Sequence, residues 1–278
     1  MIVLLLLAGV VGAIWWVVFI RRFGLMAGGL ATLGTGICLG HPFFHFSSLT
    51  IDRLLFVALC GTFAVAWRTG QARVTQLRRE DVPTLGLMLV ILASTLLTDW
   101  NWNGGIPISR MVFYFLMPTV FYWVVRNIPT NERTAATIMG SIAVFGIYLS
   151  LTAMAEKFGQ HWLVYPKYIA SPEYSEFFGR GRGPILNPSG NGVLISAGLF
   201  SLLMYWPRAQ RLGKLGVSLG FLIYAGGIFA TLTRCVWLGA MLGLLVILLA
   251  TFPPRFKWSI FMFGTLALVL LIPANWER

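Results

Sequence analysis

The residues of this chain best suited to chemistry form one string, Gly179-Arg180-Gly181-Arg182-Gly183-Pro184-Ile185-Leu186-Asn187-Pro188-Ser189-Gly190-Asn191-Gly192. Arginine carries a permanent charge on a planar fork that grips phosphate through two bonds at once. Glycine lets the backbone come close to a ligand. Ser189 is placed to cap a following helix, whose positive dipole end also favours an anion. Two readings of this spacing stay open: a built anion site, or a flexible basic loop touching anionic headgroups. The second feature is Arg234, in Ala230-Thr231-Leu232-Thr233-Arg234-Cys235-Val236-Trp237, between two apolar runs with almost no loop. A cation there either serves a site or snorkels to headgroup phosphate.

Other groups point less sharply. Asp52-Arg53 and Arg110 lie at expected span starts, where interfacial charges anchor helices. Glu156, Glu173 and Glu176 are candidate general bases, but their spacing selects none of them. His41 and His45 are separated by Pro42, which opposes a shared helical face, and no carboxylate is close in sequence, so no metal site is expected. Cys38, Cys60 and Cys235 show neither a CxxC nor a Cys/His pattern and read as small buried packing residues. Neither a Walker loop nor a dinucleotide fingerprint is present, since Gly190-Asn191-Gly192 follows no strand.

The elements that carry these residues follow from composition. Of 278 residues, 58% are hydrophobic and 11% charged, against about 25% charged in soluble domains. That excludes a disordered chain and an ordinary soluble enzyme. Apolar runs fall at roughly 2–20, 24–40, 51–67, 82–98, 108–125, 134–154, 189–206, 215–232, 235–252 and 258–273. Each approaches the roughly 20 residues that cross a hydrocarbon core, and only helices satisfy their own backbone there. The expectation is an all-α, polytopic transmembrane bundle of about ten spans, forming a single domain over 1–278. The stretch 215–252 as one helix would reach about 57 Å, far beyond a core of about 30 Å. It must therefore be a hairpin turning near Arg234.

The net charge of +12 then orients the chain and is no nucleic-acid footprint. Thirteen of the 21 Lys/Arg fall in 21–22, 68–81, 126–133, 207–214 and 253–257, alternate connections that are expected inside. Short outer connections at 41–48 and 99–105 hold none. Trp67, Trp123, Trp206 and Trp258 are expected at inner span ends, and Trp100, Trp102, Trp237 and Trp276 at outer ones. The first span lacks a positive region before it and has Arg21-Arg22 after it, which predicts an outside N-terminus and no cleavable signal. The polar segment 155–188, with His161 in it, is a long outer loop, and long loops are often functional.

With order and topology fixed, the motifs resemble those of the O-antigen ligase and polymerase superfamily. Arg180-Gly181-Arg182-Gly183 supplies its Arg-x-x-Gly, Asn187-Pro188 its Asn-Pro at a span start, and Thr231-Leu232-Thr233-Arg234 its Thr-x-Ser/Thr-Arg. The resemblance covers 155–255; earlier spans match in hydropathy and in the span start Thr50-Ile51-Asp52. It implies an architecture like that of C-type glycosyltransferases, at the periplasmic face of a bacterial inner membrane. A polyprenyl-pyrophosphate-linked glycan would be the donor, and a lipid or glycan the acceptor; membrane lipids are the other partners. Arg180 and Arg234 would be catalytic, holding the pyrophosphate as it leaves. Arg182, Asn187, Thr233 and Arg110 would contribute to substrate binding, with no metal, nucleotide or other cofactor. The sequence departs from the family at Ser189, with Asn191 two residues later, at Thr233 and at Cys235. The resemblance also predicts a further outer loop carrying a histidine base, so the chain is expected to be the front portion of a longer protein. A transporter or lipid-glycan flippase is the alternative, disfavoured because ionisable residues cluster at outer span ends.

Overall fold

The computed structural model describes residues 2–40, 50–97, 107–173 and 176–251. His41, His45, the connection 99–105 with Trp100 and Trp102, and all of 252–278 lie outside these residues. The tenth expected span and Trp258 and Trp276 fall in that last stretch. Among the described residues the chain is helical and holds no strand. The helices are α1 (Ile2–Phe23), α2 (Leu25–Leu39), α3 (Ile51–Arg68), α4 (Val82–Leu97), α5 (Pro107–Met111), α6 (Met117–Arg126), α7 (Glu132–Lys157), α8 (Pro188–Leu203), α9 (Arg211–Ala230) and α10 (Arg234–Thr251). Four of the helical stretches, Arg79–Leu97, Ile108–Arg126, Glu132–Lys157 and Arg211–Ala230, are long and apolar enough to cross a membrane. Leu25–Leu39 and Arg234–Ala250 are shorter apolar helices. Large apolar side chains such as Val11, Leu89, Leu97 and Leu222 face outward, a surface that soluble proteins avoid and hydrocarbon accepts.

The chain divides into two compact units, Met1–Ala135 and Ala136–Arg278. In the first, α2 packs along α3, and Phe63 meets Trp123 of α6 edge-on at 5.9 Å. Between α5 and α6 the residues Val112–Leu116 form a π-helical turn. Pro118 follows it; proline has no N–H and crowds the carbonyl four residues back, which loosens the helix there. Two locks join the connection after α3 to the end of α6. Asn127 Oδ1 accepts from Thr75 N at 2.6 Å and Thr75 Oγ1 at 2.8 Å, and Arg126 pairs with Asp81.

The second unit has a core of Leu149 and Ala153 from α7, Ile195 and Leu199 from α8, Tyr224 and Ile228 from α9, and Val236 and Ala240 from α10. Small residues bring these helices together. A Cβ on Gly198 would stand 2.9 Å from Gly146 Cα, and one on Gly227 would stand 2.5 Å from Ser150 Cβ. Tyr224 spans the contact, and its hydroxyl donates to Ala143 O. At the other end of α7 the Tyr205 hydroxyl donates to Ala136 O. The cysteines differ from expectation. Cys235, second residue of α10, is exposed, while Cys38 and Cys60 are half-buried, because α10 turns that face outward.

Candidate functional site: an arginine loop on a helical hairpin

The hairpin expected in 215–252 is present. Helix α9 ends at Ala230 and α10 begins at Arg234, so the turn is Thr231-Leu232-Thr233. Thr231 Oγ1 donates back to Ile228 O at 2.8 Å, and Thr233 Oγ1 to Thr231 O at 3.0 Å. Trp237 Nε1 donates to Ile228 O at 2.9 Å while its ring stacks on Phe229. Leu232 takes a positive φ of 50° to make the turn.

Arg180 is docked on this turn. Its Nε donates to Thr231 O at 3.2 Å, and its Nη2 to Leu232 O at 2.7 Å and Thr233 Oγ1 at 2.9 Å. Gly181 N donates to Ala230 O at 2.9 Å. The two motifs, some 50 residues apart in sequence, thus meet through four consecutive residues, Ala230 to Thr233. A guanidinium has five N–H donors, and the Nη1 group of half-buried Arg180 makes no hydrogen bond among the described residues. Arg234 is the next residue after the Thr233 that receives Arg180. It opens α10, it is exposed, and it has no hydrogen bond or ion pair among the described residues.

Arg182 is placed otherwise. Its side chain is 1% exposed. Nη1 donates to Glu176 O at 2.8 Å, and Nη2 to Ile169 O at 2.6 Å and Ser171 O at 3.3 Å. Nε lies 3.8 Å from Glu156 Oε2. Burial pulls this guanidinium below its usual value and the Glu156 carboxylate pushes back. As placed, Arg182 holds carbonyls of its own loop where substrate contact was expected. The loop 155–188 is packed: Val164, Tyr168 and Ile169 are buried, and Tyr168 Oη donates to Pro184 O at 2.5 Å. A polar composition hid this small core.

The entry to α8 also differs from expectation. The cap is Asn187, whose Oδ1 accepts from Ser189 N at 2.9 Å and Gly190 N at 3.2 Å, with Pro188 as the first helical residue. Ser189 does not cap, since a cap must precede the amides it satisfies. Two of the amides that would face an anion are already bonded. Arg110 stands exposed on α5 in the first unit, and the arginine cluster is built wholly from the second. His161 lies beside Phe178, ring centres 5.5 Å apart. Two residues that build the site take roles the sequence did not suggest: Glu156, one of three candidate bases, accepts the Arg182 and Gly183 amides, and Asn191, a departure from the family pattern, donates to Gly181 O. Glu156 is 5% exposed at the end of α7, and an ionisable group ending an apolar span was its available signal.

Among the described residues the protein is all-helical, with four helices long and apolar enough to cross a membrane, and its arginine-bearing loop docks on the turn of the α9–α10 hairpin. Comparison with protein-family models, with curated proteins and with solved structures finds no match.

Proposed function

We propose that this protein transfers or polymerises a polyprenyl-pyrophosphate-linked glycan at the outer face of a bacterial inner membrane, as an O-antigen ligase-like or polysaccharide polymerase-like enzyme built on about ten spans. The observation that carries the reading is the docking of Arg180 onto the turn that presents Arg234. Glycosyl transfer forms a bond from an acceptor hydroxyl to the anomeric carbon and breaks the bond to the pyrophosphate. Charge develops on the departing phosphate, and fixed cations there lower the barrier. Arg180, held on the hairpin turn, and Arg234, the exposed residue that follows that turn, supply two such cations. Thr233 fixes Arg180, and Asn187 fixes the helix behind the loop. With two arginines in that role, the proposed step calls for no metal and no nucleotide.

Backbone strain supports the choice of site. Among the described residues the three non-glycine positive-φ positions are Phe177, Leu186 and Leu232, all in this loop and turn. Such conformations cost about 1–3 kcal/mol each and gather at functional sites. The test is transfer from undecaprenyl-pyrophosphate-linked glycan by purified protein. Arg180→Ala and Arg234→Ala are each expected to lose at least about 100-fold in kcat, with membrane insertion intact. A double variant that transfers at the wild-type rate overturns the reading.

A further inference from the structure

We propose that Glu156 is the positioning residue for Arg180: its carboxylate closes the turn that aims this arginine at the hairpin. The path is short. Glu156 Oε1 accepts from Gly183 N at 2.9 Å, and Oε2 from Arg182 N at 3.3 Å. The same Arg182 N–H reaches Arg180 O at 2.8 Å. One amide therefore closes a tight three-residue turn over Gly181 and binds the carboxylate behind it. Asn191 of α8 holds the other side of the turn, with Nδ2 donating to Gly181 O at 3.0 Å. The Arg182 guanidinium, also against Glu156, gathers Ile169, Ser171 and Glu176 carbonyls from the rest of the loop. Glu156 thus sits where the long loop and the Arg180 turn are tied to α7.

The chemistry of the site assigns it this role and no other. Both carboxylate oxygens already accept backbone N–H groups and the group is buried, so it touches no substrate. It acts through Arg180. The charge matters because a carboxylate accepts more strongly than an amide oxygen and compensates the buried guanidinium.

The catalytic half of this inference rests on the glycan-transfer reading; the structural half does not. Full-chain protein in detergent is compared as wild type, Glu156→Gln and Glu156→Ala, by hydrogen exchange of the peptide covering 176–186 and by transfer kinetics. Glu156→Ala is expected to speed exchange of the Gly181–Gly183 amides at least about tenfold while span amides keep their rates, and to lower kcat about tenfold or more with the acceptor KM unchanged. Glu156→Gln, which keeps an acceptor oxygen, is expected to recover part of both. Unchanged exchange overturns the proposal, as does faster exchange with unchanged kcat. Where Glu156→Ala fails to fold, Asn191→Ala removes the hydrogen bond to Gly181 O and the packing against Gly183 and is expected to give the same paired change, its absence counting against the proposal. Arg180→Ala protein with wild-type transfer would sink the glycan-transfer reading, while exchange still decides whether Glu156 holds the turn.

Discussion

Gly183 shows how little freedom the arginine loop has. Its φ is +58°, and a Cβ there would stand 2.4 Å from Asn191 Oδ1. Gly179 also has a positive φ, +81°, but opens onto empty space. Gly183→Ala therefore meets dihedral strain and a collision, Gly179→Ala the strain alone. The first is expected to cost about 2–4 kcal/mol and the second about 1–2, read as the difference in Tm between the two variants in detergent. Equal losses would mean that Asn191 yields freely. The same loop explains what the sequence could not reveal at this scale. Arg180 and Arg182 occupy near-identical Gly-Arg-Gly settings, yet one docks on the hairpin and the other turns inward. What separates them is Glu156, 26 residues before Arg182, and carbonyls from three further loop positions. Those partners lie 6 to 26 residues from Arg182, outside the Gly-Arg-Gly string, so its spacing carries no trace of them. Arg182→Lys, with a point charge in place of a fork, cannot reach three carbonyls at once. It is expected to lower Tm nearly as much as Arg182→Met.

Helix positions were far more legible than helix faces. Nine of the ten apolar runs read from the sequence coincide in place with α1–α4 and α6–α10, the tenth lying outside the described residues, because an uninterrupted apolar stretch of that length satisfies its backbone most readily as a helix. The faces gave no such signal. Lipid tails are as apolar as leucine, so hydropathy does not separate a lipid-facing side from a packed one. The marks are small residues, and only the structure tells which of them matter. In α9, Gly227 lies against Ser150 of α7, whereas Gly216 has nothing within 4 Å. Gly227→Ala is expected to destabilise by roughly 1–3 kcal/mol through overpacking. Gly216→Ala is expected to be neutral or to stabilise by up to about 1 kcal/mol, as alanine does in an unobstructed helix. Thermal unfolding of both, side by side in one helix, distinguishes packing from propensity. A Gly227→Ala protein as stable as wild type would mean that α7 and α9 are not held by this contact.

At the scale of the molecule, charge and contacts together bear on which connections share a membrane face. The charge count placed 68–81 and 126–133 on one side, and the first unit brings them together through Thr75–Asn127 and Asp81–Arg126. In the second unit Tyr205 meets Ala136 at one end of α7, and the arginine loop meets the 231–233 turn at the other. Helix α7 has 26 residues, or about 39 Å, which exceeds a core of about 30 Å. The two ends of that unit are therefore expected on opposite faces. Which face is outside follows from lysine and arginine, which concentrate in cytoplasmic connections, and this predicts the arginine loop outside. Single cysteines at exposed Gln71, Gln160 and Gln210, in a background with Cys38, Cys60 and Cys235 replaced, test both statements with an impermeant maleimide on intact cells. Gln160→Cys is expected to label at once, and Gln71→Cys and Gln210→Cys only after permeabilisation. Labelling at Gln160 and Gln210 alike would break the assignment of α7 as a full span. The reverse pattern would keep the span but put Arg180 and Arg234 on the cytoplasmic face, where a donor presented from outside could not reach them.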